Sequence, residues 1–597
     1  MGTRALKTSF LEVTLAYTRR ATLASAVVVA AACSASASEV EHGVFKHGVA
    51  SGDPLTDRVV IWTRVTPATL GGDIGVNWVV ASDAALTQIV KRGRVVTNRR
   101  RDYSVKVDVT GLRAGQTYYY GFRHGAQNSQ IGRTLTAPTL GAERLKIALV
   151  SCSNFPAGYF NVYQAIARRG DVDLVLHVGD YMYEYGVGEY ATQWGKTVGR
   201  VPDPPHECLS LDDYRRRHAQ YRTDPDLQSA HACAPWLVTW DDHETSNDAF
   251  KDGSQNHSPA TEGPWTTRKA AALQAYYEWL PLRNPEPGKA FDAINRSFDW
   301  GDLVTIAMLE TRLLGRSQQL DYAKDISAAA FDMSSGVPVK ITDPAKLNEL
   351  KISGLPANVR MLPDLESFKA DKVSDPSREM LGNSQQDWLA RVLTQSVQQG
   401  KKWQLLGNQV ILARVTSPDL SRGLPLQVRE AIAKVRPETK AFFELSQFNV
   451  PFNLDAWDGY PAARERLYEI AKAAGARLVV CTGDTHSAWA NTLKDNAGEV
   501  RGVEFGATSV TSPSIADTFS DFGLDGAVLN QLIIDRNDEV EWHDETKRGY
   551  TLVTLTKDHA RGDFIAVDTI KSKTFIVSTT ASWKTDYGPK PMPLVAG

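Results

Sequence analysis

The sequence has almost no net charge, few cysteines and only one apolar run of note, and these shortages exclude several kinds of protein. Its 67 basic residues against 69 acidic ones leave a formal net charge of −2. This balance gives no support to a nucleic-acid binder that works through bulk electrostatics, although a local basic patch remains compatible with it. The apolar run, residues 23–32, is too short to span a bilayer as a stable helix.

What the chain does have is an ordinary globular composition over a considerable length. Hydrophobic residues make up 42% and charged residues 23% of the chain, which argues against wholesale disorder. With 597 residues, the chain is long enough to bury a sizeable core and to form two or more domains.

The first 38 residues follow the order of a secretory signal. A long basic segment ending in Arg19-Arg20 precedes the apolar run, and the small residues Ala35-Ser36-Ala37-Ser38 come after it. This is the order of a positive region, an apolar region and a cleavage site. We therefore predict an export signal peptide over 1–38 and a periplasmic or extracellular protein.

The export route is less closely defined by these residues. The segment Thr18-Arg19-Arg20-Ala21-Thr22-Leu23 resembles a twin-arginine signal, with Thr22 at the position that usually holds phenylalanine. That route carries folded proteins and would suit a metalloenzyme that loads its metal before export. The general secretory route is the alternative. A further alternative is that the signal ends at Cys33. A lipid attached to this cysteine would anchor the exported chain to a membrane.

The remaining cysteines fall into two kinds. Cys208 and Cys233 lie in one polar insertion, and we predict that they pair, because an oxidising compartment permits disulfides. Cys152 and Cys481 each stand at the end of an apolar run, which indicates a different use.

Residues 44–140 have the pattern of an all-β domain. Short β-branched or aromatic runs, such as 59–63 and 118–122, are separated by glycine, aspartate and proline. This spacing is typical of a fibronectin- or immunoglobulin-like sandwich.

The rhythm changes to strand, loop and helix from residue 144. Runs such as 174–178 have the apolar character of strands buried on both faces. We predict an α/β catalytic domain over 144–560, followed by a C-terminal segment, 561–597. Residues 317–376 are polar, contain proline and glycine and lack a clear period, so we interpret them as an insertion or lid.

Four motifs rich in metal-ligating side chains follow predicted strands, where open α/β sheets place their ligands. They are Ser151-Cys152-Ser153-Asn154, Gly179-Asp180-Tyr181-Met182-Tyr183-Glu184, Asp241-Asp242-His243-Glu244 and Gly483-Asp484-Thr485-His486. Together they offer thiolate, carboxylate, phenolate and imidazole. Two metal ions about 3.5–4 Å apart can activate water and clamp phosphoryl oxygens, and a carboxylate such as Asp180 can bridge two ions. The four motifs therefore predict a metal site with the ligands that phosphate-ester hydrolysis requires.

This set of motifs resembles the metallophosphoesterase pattern in the form found in PhoD-type alkaline phosphatases. The resemblance runs from Phe45 to about Tyr550 and includes Gln274-Ala275-Tyr276-Tyr277-Glu278, Met380-Leu381-Gly382 and Asp455-Ala456-Trp457-Asp458-Gly459-Tyr460. It implies a two-sheet metallophosphoesterase sandwich flanked by helices, preceded by the all-β domain.

The resemblance also implies the metal ligands. A ferric ion would be held by Cys152, Asp180, Tyr183 and His486. Asp180 would bridge to one or two calcium ions, with Asp242 and Asp484 as further ligands and with other divalent ions as the alternative. Thiolate and phenolate favour a transition metal such as Fe³⁺, and oxygen-only ligands favour Ca²⁺. Asp242 and Asp484 replace the asparagine and histidine that are common in the superfamily, which argues against a second zinc.

Four further side chains are candidates for the chemistry. We expect His243 to act on the phosphate or leaving group as a general acid, oriented by Glu244 or Asp241. Asn154, Asn247 and Arg268 are candidates for phosphate contact, Arg268 through charge-assisted hydrogen bonds. A solvated helix face is the alternative for Arg268.

The sequence thus predicts an exported, metal-dependent alkaline phosphatase that hydrolyses phosphate monoesters and diesters through attack by a metal-bound hydroxide. A phospholipase D-type phosphodiesterase on the same site is the alternative, and a cell-surface binding protein with a structural metal site is a third interpretation. The expected partners are a phosphate-ester substrate and the export machinery, but not nucleic acid. Membrane contact is expected only through a lipid at Cys33 or a phospholipid substrate.

Overall fold

In the described residues up to 140, the regular secondary structure consists of strands, apart from one short 3-10 turn at Arg99–Arg101. A computed structural model describes residues 44–436 and 438–597; the predicted signal peptide and Cys33 lie outside them. The first strands are β1 Val49–Gly52, β2 Arg58–Arg64, β3 Ile74–Ala81, β4 Ile89–Thr97, β5 Ser104–Thr110, β6 Thr117–His124, β7 Gln127–Asn128 and β8 Gly132–Leu135.

The remainder of the chain alternates strands with helices. The strands are β9 Arg144–Val150, β10 Leu174–His177, β11 Trp236–Val238, β12 Arg296–Trp300, β13 Val304–Met308, β14 Ala328–Asp332, β15 Val339–Lys340, β16 Val359–Pro363, β17 Trp403–Gly407, β18 Leu478–Thr482, β19 Ala488–Lys494, β20 Val500–Gly506, β21 Val540–Asp544, β22 Arg548–Thr556, β23 His559–Val567, β24 Val577–Asp586 and β25 Val595–Ala596.

The α-helices lie mainly on the outer faces of the sheets. They are α1 Asn161–Arg169, α2 Leu211–Arg222, α3 Pro225–Cys233, α4 Pro259–Glu262, α5 Trp265–Trp279, α6 Tyr322–Asp325, α7 Pro344–Ser353, α8 Leu365–Ser367, α9 Asn383–Gln398, α10 Leu420–Gly423, α11 Leu426–Val435, α12 Glu438–Leu445, α13 Pro461–Ala474, α14 Ile515–Phe519 and α15 Gly526–Arg536. Within the described residues, none of the helices combines the length and the apolar character needed to cross a membrane.

Two large mixed sheets form the centre of the molecule. The first has ten strands in the order β25-β24-β23-β22-β9-β10-β11-β1-β2-β5, and the second has seven in the order β12-β13-β17-β18-β20-β19-β21. The neighbours β9, β10 and β11 are parallel, as are β13, β17, β18 and β20.

The two sheets pack face to face because alternate strand residues are apolar on both faces. Ile147 and Leu176 of the first sheet share one core cluster with Ile306 and Val479 of the second. The opposite faces pack against α1, α3 and α5 on one side and α9 and α13 on the other. This is the predicted two-sheet sandwich flanked by helices, and the fold prediction is confirmed.

The N-terminal all-β region is continuous with the catalytic sheet. Strands β1, β2 and β5 extend the ten-stranded sheet, while β3, β4, β6, β7 and β8 form the facing sheet. Gly52 of β1 pairs with Trp236 of β11 at the junction between the two regions. A Cβ there would lie 2.6 Å from the Trp236 carbonyl oxygen and 2.2 Å from that of Pro281, so the close approach requires glycine. At the other end of the chain, β23–β25 also belong to this sheet, so the strands of the C-terminal segment 561–597 extend the sheet.

The segment predicted as an insertion or lid has its own small sheet. Strands β14, β15 and β16 pair in the order β15-β14-β16, and α7 follows β15. Many of its side chains are exposed, including Ile352 at 78%.

The predicted Cys208–Cys233 disulfide is wrong for the structure, in which Cys152, Cys208, Cys233 and Cys481 are all free thiols. Cys208 is fully buried in the core beneath the ten-stranded sheet. Cys233 ends α3, and its thiol donates to the Ala230 carbonyl oxygen at 3.2 Å. Sharing one polar insertion in sequence did not bring the two side chains together.

Candidate active site

The candidate ligands lie on loops that follow the parallel strands of both sheets. Cys152 follows β9, Asp180 follows β10, and Asp484 and His486 follow β18. All four residues have positive φ angles, of 60°, 55°, 68° and 60°. Residues other than glycine rarely adopt this backbone conformation. It costs about 1–3 kcal/mol per residue and is found mostly at functional sites. The strained turns aim these side chains at one point.

Gly179 allows two of these loops to meet. It has φ of 118°, and a Cβ there would lie 2.4 Å from the Asp241 Cβ. Any larger residue would push the Asp180 turn away from the Asp241-Asp242 turn, so the glycine before Asp180 is required by the site's packing.

Two groups of ligand atoms converge, and Asp180 belongs to both. The first contains Cys152, Asp180 and His486, and the second contains Asp180, Asp242 and His243; within each group the atoms lie within 4.8 Å of one another. Asp180 Oδ1 is buried and has no hydrogen-bond partner among the described residues. A shared carboxylate with a free oxygen is the arrangement that a bridging ligand needs.

Tyr183 completes the first group. Its hydroxyl donates to Asp180 Oδ2 at 2.9 Å and lies 3.0 Å from His486 Nε2. The Ser512 hydroxyl donates to the Tyr183 oxygen at 2.7 Å. Thiol, phenol, carboxylate and imidazole therefore surround one point.

The His486 ring is oriented for metal binding through Nε2. Its Nδ1 lies 2.8 Å from the Pro513 carbonyl oxygen, which requires the proton on Nδ1 and leaves the Nε2 lone pair free. Burial lowers the pKa of His486 to about 3, so the ring is neutral at ordinary pH.

The electrostatics of the first group favour a bound cation. Burial raises the pKa of the Cys152 thiol, and the charge of Asp180 raises it further. Burial also raises the pKa of the Tyr183 phenol and, together with the charge of Asp242, that of the Asp180 carboxyl. A cation reverses these shifts, because it stabilises thiolate, phenolate and carboxylate together. The donor set therefore fits a metal ion.

His243 is held by Glu184 rather than by Glu244 or Asp241, so that part of the sequence interpretation is corrected. His243 Nδ1 lies 2.8 Å from Glu184 Oε2. Burial lowers the pKa of His243, but the charges of Asp242, Glu184 and Asp180 outweigh it and raise the pKa well above its ordinary value. Glu184 is thus the orienting carboxylate.

Glu244 organises the backbone of the site instead. Its carboxylate accepts hydrogen bonds from the backbone N–H groups of Tyr181 at 2.6 Å, Asp241 at 2.8 Å and Asp180 at 3.2 Å. It therefore ties the turn after β10 to the turn after β11.

Comparison with known proteins gives this site its context. A sequence model described as PhoD-like phosphatase matches residues 147–564, and one for the N-terminal domain of PhoD-like phosphatases matches residues 30–138. The chain belongs to the PhoD-like phosphatase family. It is therefore a phosphoric ester hydrolase.

Two relatives show how far the similarity extends. Alkaline phosphatase D of Bacillus subtilis (strain 168) is 32% identical over 553 residues, which cover 90% of this chain and 80% of the relative. The solved structure of PhoD superimposes with a TM-score of 0.71 at 30% identity and covers 92% of each chain.

In this PhoD-like phosphatase, Asp484 lies beside a buried arginine. Arg312 Nη2 is 3.4 Å from Asp484 Oδ1, and the same guanidinium contacts Asp241 at 2.5 Å and Asp455 at 2.7 Å. Arg316 also pairs with Asp455. The Arg312 side chain is fully buried, so one cation holds three carboxylates near the strand ends.

We expect replacement of Arg312 by methionine to lower the free energy of unfolding by about 3–5 kcal/mol, because it leaves buried carboxylates without their partner. Urea denaturation followed by tryptophan fluorescence measures this. Arg58→Met is the matched control. Its pair with Asp57 is 37% and 51% exposed and should contribute about 0–1 kcal/mol. Equal losses in the two variants would contradict a special role for Arg312.

The three residues predicted to contact phosphate have different surroundings. Asn154 is 1% exposed, and neither side-chain atom has a partner among the described residues. Asn247 donates from its backbone N–H to Glu184 at 2.8 Å, and its side chain donates to Gln255 at 2.7 Å.

Arg268 is buried and ion-paired, not on a solvated helix face. It contacts Glu207 at 2.6 Å and Glu262 at 3.2 Å, and its Nε donates to the Tyr214 hydroxyl at 3.0 Å. Tyr214 in turn donates to the Thr245 carbonyl. In the structure, Arg268 supports the loop after β11 through Tyr214.

Sequence reasoning did not single out several residues that shape the site. Glu184 directly follows Tyr183, and Asp455 lies in a motif already quoted for the resemblance, so a signal existed for both. Arg312 and Ser512 had no such signal. Their partners lie far away in sequence and become neighbours only through the fold.

Proposed function

We propose that this phosphatase is exported, depends on metal ions, works at alkaline pH on phosphate monoesters and also on diesters, and releases phosphate. The observation that carries the proposal is the sharing of Asp180 between two converging groups of ligand atoms. The free Oδ1 of Asp180 supports it, because a buried carboxylate oxygen without a donor needs a cation.

The donor chemistry supports two kinds of ion. Cys152, Tyr183, His486 and Asp180 would hold Fe³⁺, because thiolate and phenolate suit a transition metal. Asp180, Asp242 and Asp484 would hold one or two Ca²⁺, which prefers oxygen ligands. When bound, such ions lower the pKa of water and neutralise charge on the phosphoryl group.

The protein's own groups would position the ester and its leaving group. Glu184 fixes His243 through Nδ1, which directs Nε2 away from that bond as a proton donor for the leaving oxygen. The amide of Asn154, buried and without a partner among the described residues, is free to donate to a phosphoryl oxygen.

Turnover of p-nitrophenyl phosphate and bis-p-nitrophenyl phosphate on one metal-replete preparation, from neutral to alkaline pH, tests this proposal. We expect hydrolysis of both, faster at alkaline pH. Turnover of the diester alone would favour the phospholipase D-type phosphodiesterase. Turnover of neither ester by protein that contains its metals would contradict the proposal.

Export remains part of the proposal and rests on residues 1–38. Replacement of both Arg19 and Arg20 by lysine should leave the precursor in the cytoplasm if the twin-arginine route is used. Normal export of that variant would favour the general secretory route. The proposed partners are a phosphate-ester substrate and the export machinery, with membrane contact only through Cys33 or a phospholipid substrate.

A further inference from the structure

A cavity of about 480 Å³ lies between strand β5, helix α5 and the turn Arg99–Arg101 that follows β4. Its volume falls within the range of small-molecule sites. None of its lining residues is a candidate metal ligand. The lining residues on which the argument depends are Arg100, Arg101, Lys106, Tyr277, Glu278 and Phe291.

The charge that is left unneutralised in this cavity is positive. Glu278, the carboxylate of the lining, is paired with Arg215 through two contacts of 2.7 Å. Arg100 and Arg101 are exposed, and their guanidinium groups form no ion pair with any residue that the structure describes. A chain of net charge −2 thus concentrates unpaired cations at this position.

Lys106 adds a third cation with unused hydrogen-bonding capacity. Its ammonium donates to the Tyr277 carbonyl oxygen at 2.5 Å and to Asn284 Oδ1 at 2.8 Å, which leaves one of its three N–H groups free. Burial lowers the pKa of Lys106 to about 7, although the charges of Asp53 and Glu278 oppose this. An anion in the cavity would stabilise the charged form.

The other wall of the cavity is aromatic. The rings of Tyr277 and Phe291 meet edge to face, with centroids 5.3 Å apart and planes at 81°. Phe291 is 53% exposed, so its ring is accessible to a ligand. The cavity therefore offers an apolar surface beside its cations.

The arginine side chains are free, but the turn that carries them is fixed through its backbone. The Asn98 side chain accepts from the Arg100 N–H at 3.1 Å, and Arg215 donates to the Arg100 carbonyl oxygen at 2.9 Å. Asp102, which follows at φ of 48°, is held by Arg64 at 2.9 Å. The turn therefore does not depend on the guanidinium groups of Arg100 and Arg101.

We propose that this cavity is a second binding site for an organic phosphate, separate from the catalytic cluster. The phosphate group binds between Arg100, Arg101 and Lys106, and the apolar part of the ligand packs on Tyr277 and Phe291. The planar guanidinium group of arginine binds two oxygen atoms of one phosphate group through two parallel hydrogen bonds. Two arginines, together with the Lys106 ammonium that a bound anion would keep charged, match the charge of a dianionic phosphate better than they match that of a monoanionic carboxylate.

Calorimetric titration with phenylphosphonate tests the assignment, because its C–P bond resists hydrolysis and it carries both a phosphoryl group and a ring. The titration uses the full metal-loaded protein. We expect two binding events in the wild type. Arg100→Ser combined with Arg101→Ser should weaken one of them by about 10²-fold, as for the loss of charge-assisted hydrogen bonds. Asp180→Asn should spare that same event.

A matched control separates a site from diffuse charge. Arg92→Ser combined with Arg94→Ser removes the same charge from β4, where both side chains are exposed and neither lines the cavity. This control should keep both binding events. A single event in the wild type, or an equal loss in the control, would overturn the proposal.

The apolar half of the assignment has its own test. Phe291→Ser should weaken phenylphosphonate at the second site and leave the affinity for inorganic phosphate unchanged. This substitution removes no charge and changes a residue on an exposed loop. It therefore remains informative if the double arginine variant fails to fold. If the wild type binds inorganic phosphate as tightly as phenylphosphonate at this site, the assignment of an organic phosphate is overturned.

Discussion

Asp180→Asn is expected to lower kcat/KM for p-nitrophenyl phosphate by about 10³-fold, at the upper end of the cost of losing one charge-stabilising group. Asn has the same shape, but its NH₂ group cannot ligate a cation. Because Asp180 belongs to both ligand groups, the variant should also lose iron and calcium together. Steady-state kinetics and elemental analysis of the same preparation measure both effects.

Asp226→Asn is the control for this variant. Asp226 lies on α3, outside the site, and accepts a hydrogen bond from Gln164 at 2.7 Å that an amide oxygen preserves. The activity and metal content of the Asp226→Asn variant should match those of the wild type. An Asp180→Asn protein that keeps either ion in full and most of its activity would contradict the bridging role.

His243→Asn is expected to slow turnover by an amount that depends on the leaving group. For an alkyl phosphate such as glycerol phosphate, kcat should fall by about 10²–10⁴-fold, the usual contribution of a general acid. For p-nitrophenyl phosphate the loss should be much smaller, because p-nitrophenolate leaves without a proton. A plot of log kcat against leaving-group pKa should be steeper for the variant than for the wild type.

The same experiment distinguishes a proton donor from a metal ligand. The ring of His243 lies within the second ligand group, beside Asp180 and Asp242. If His243 ligates an ion, the variant should lose that ion and slow equally on both esters. Glu184→Gln keeps the ring but weakens the bond that orients it, and should show the leaving-group effect in milder form.

The sequence was sufficient for the fold class because the strand signals are local. Apolar runs before Ser151, Gly179 and Gly483 marked β9, β10 and β18, and the carboxyl ends of parallel strands share one edge of their sheet. Most of the residues that bind metal in the proposal follow those ends within a few residues, and Asp242 follows the end of β11 in the same way. Short-range pattern and strand geometry were therefore enough to group them.

The supporting residues could not be found in that way. Glu184 reaches His243 across 59 residues of sequence, and Arg312 reaches Asp484 across 172. The choice among Glu184, Glu244 and Asp241 depended on side-chain directions in strained turns, which no local pattern encodes. The predicted disulfide between Cys208 and Cys233 was wrong for a related reason, since sequence proximity within an insertion does not fix the distance between two thiols.

The continuity of the N-terminal strands with the catalytic sheet was also hidden in the sequence. Strand β1 pairs with β11 only through Gly52 and Trp236, which are distant in sequence. Strand β4, which leads into the turn that carries Arg100, has a basic sequence without apolar–polar alternation, although its residues alternate between exposed and partly buried positions in the structure.

The central claim is that the cluster around Asp180 hydrolyses phosphate esters only when it holds its metal ions. The most direct test is the activity of one wild-type preparation, assayed for iron and calcium, before chelation, after chelation and after calcium is returned. We predict that activity falls as calcium is removed and recovers with its return, while iron stays bound. Full activity in protein that analysis shows to be free of both metals would contradict the claim.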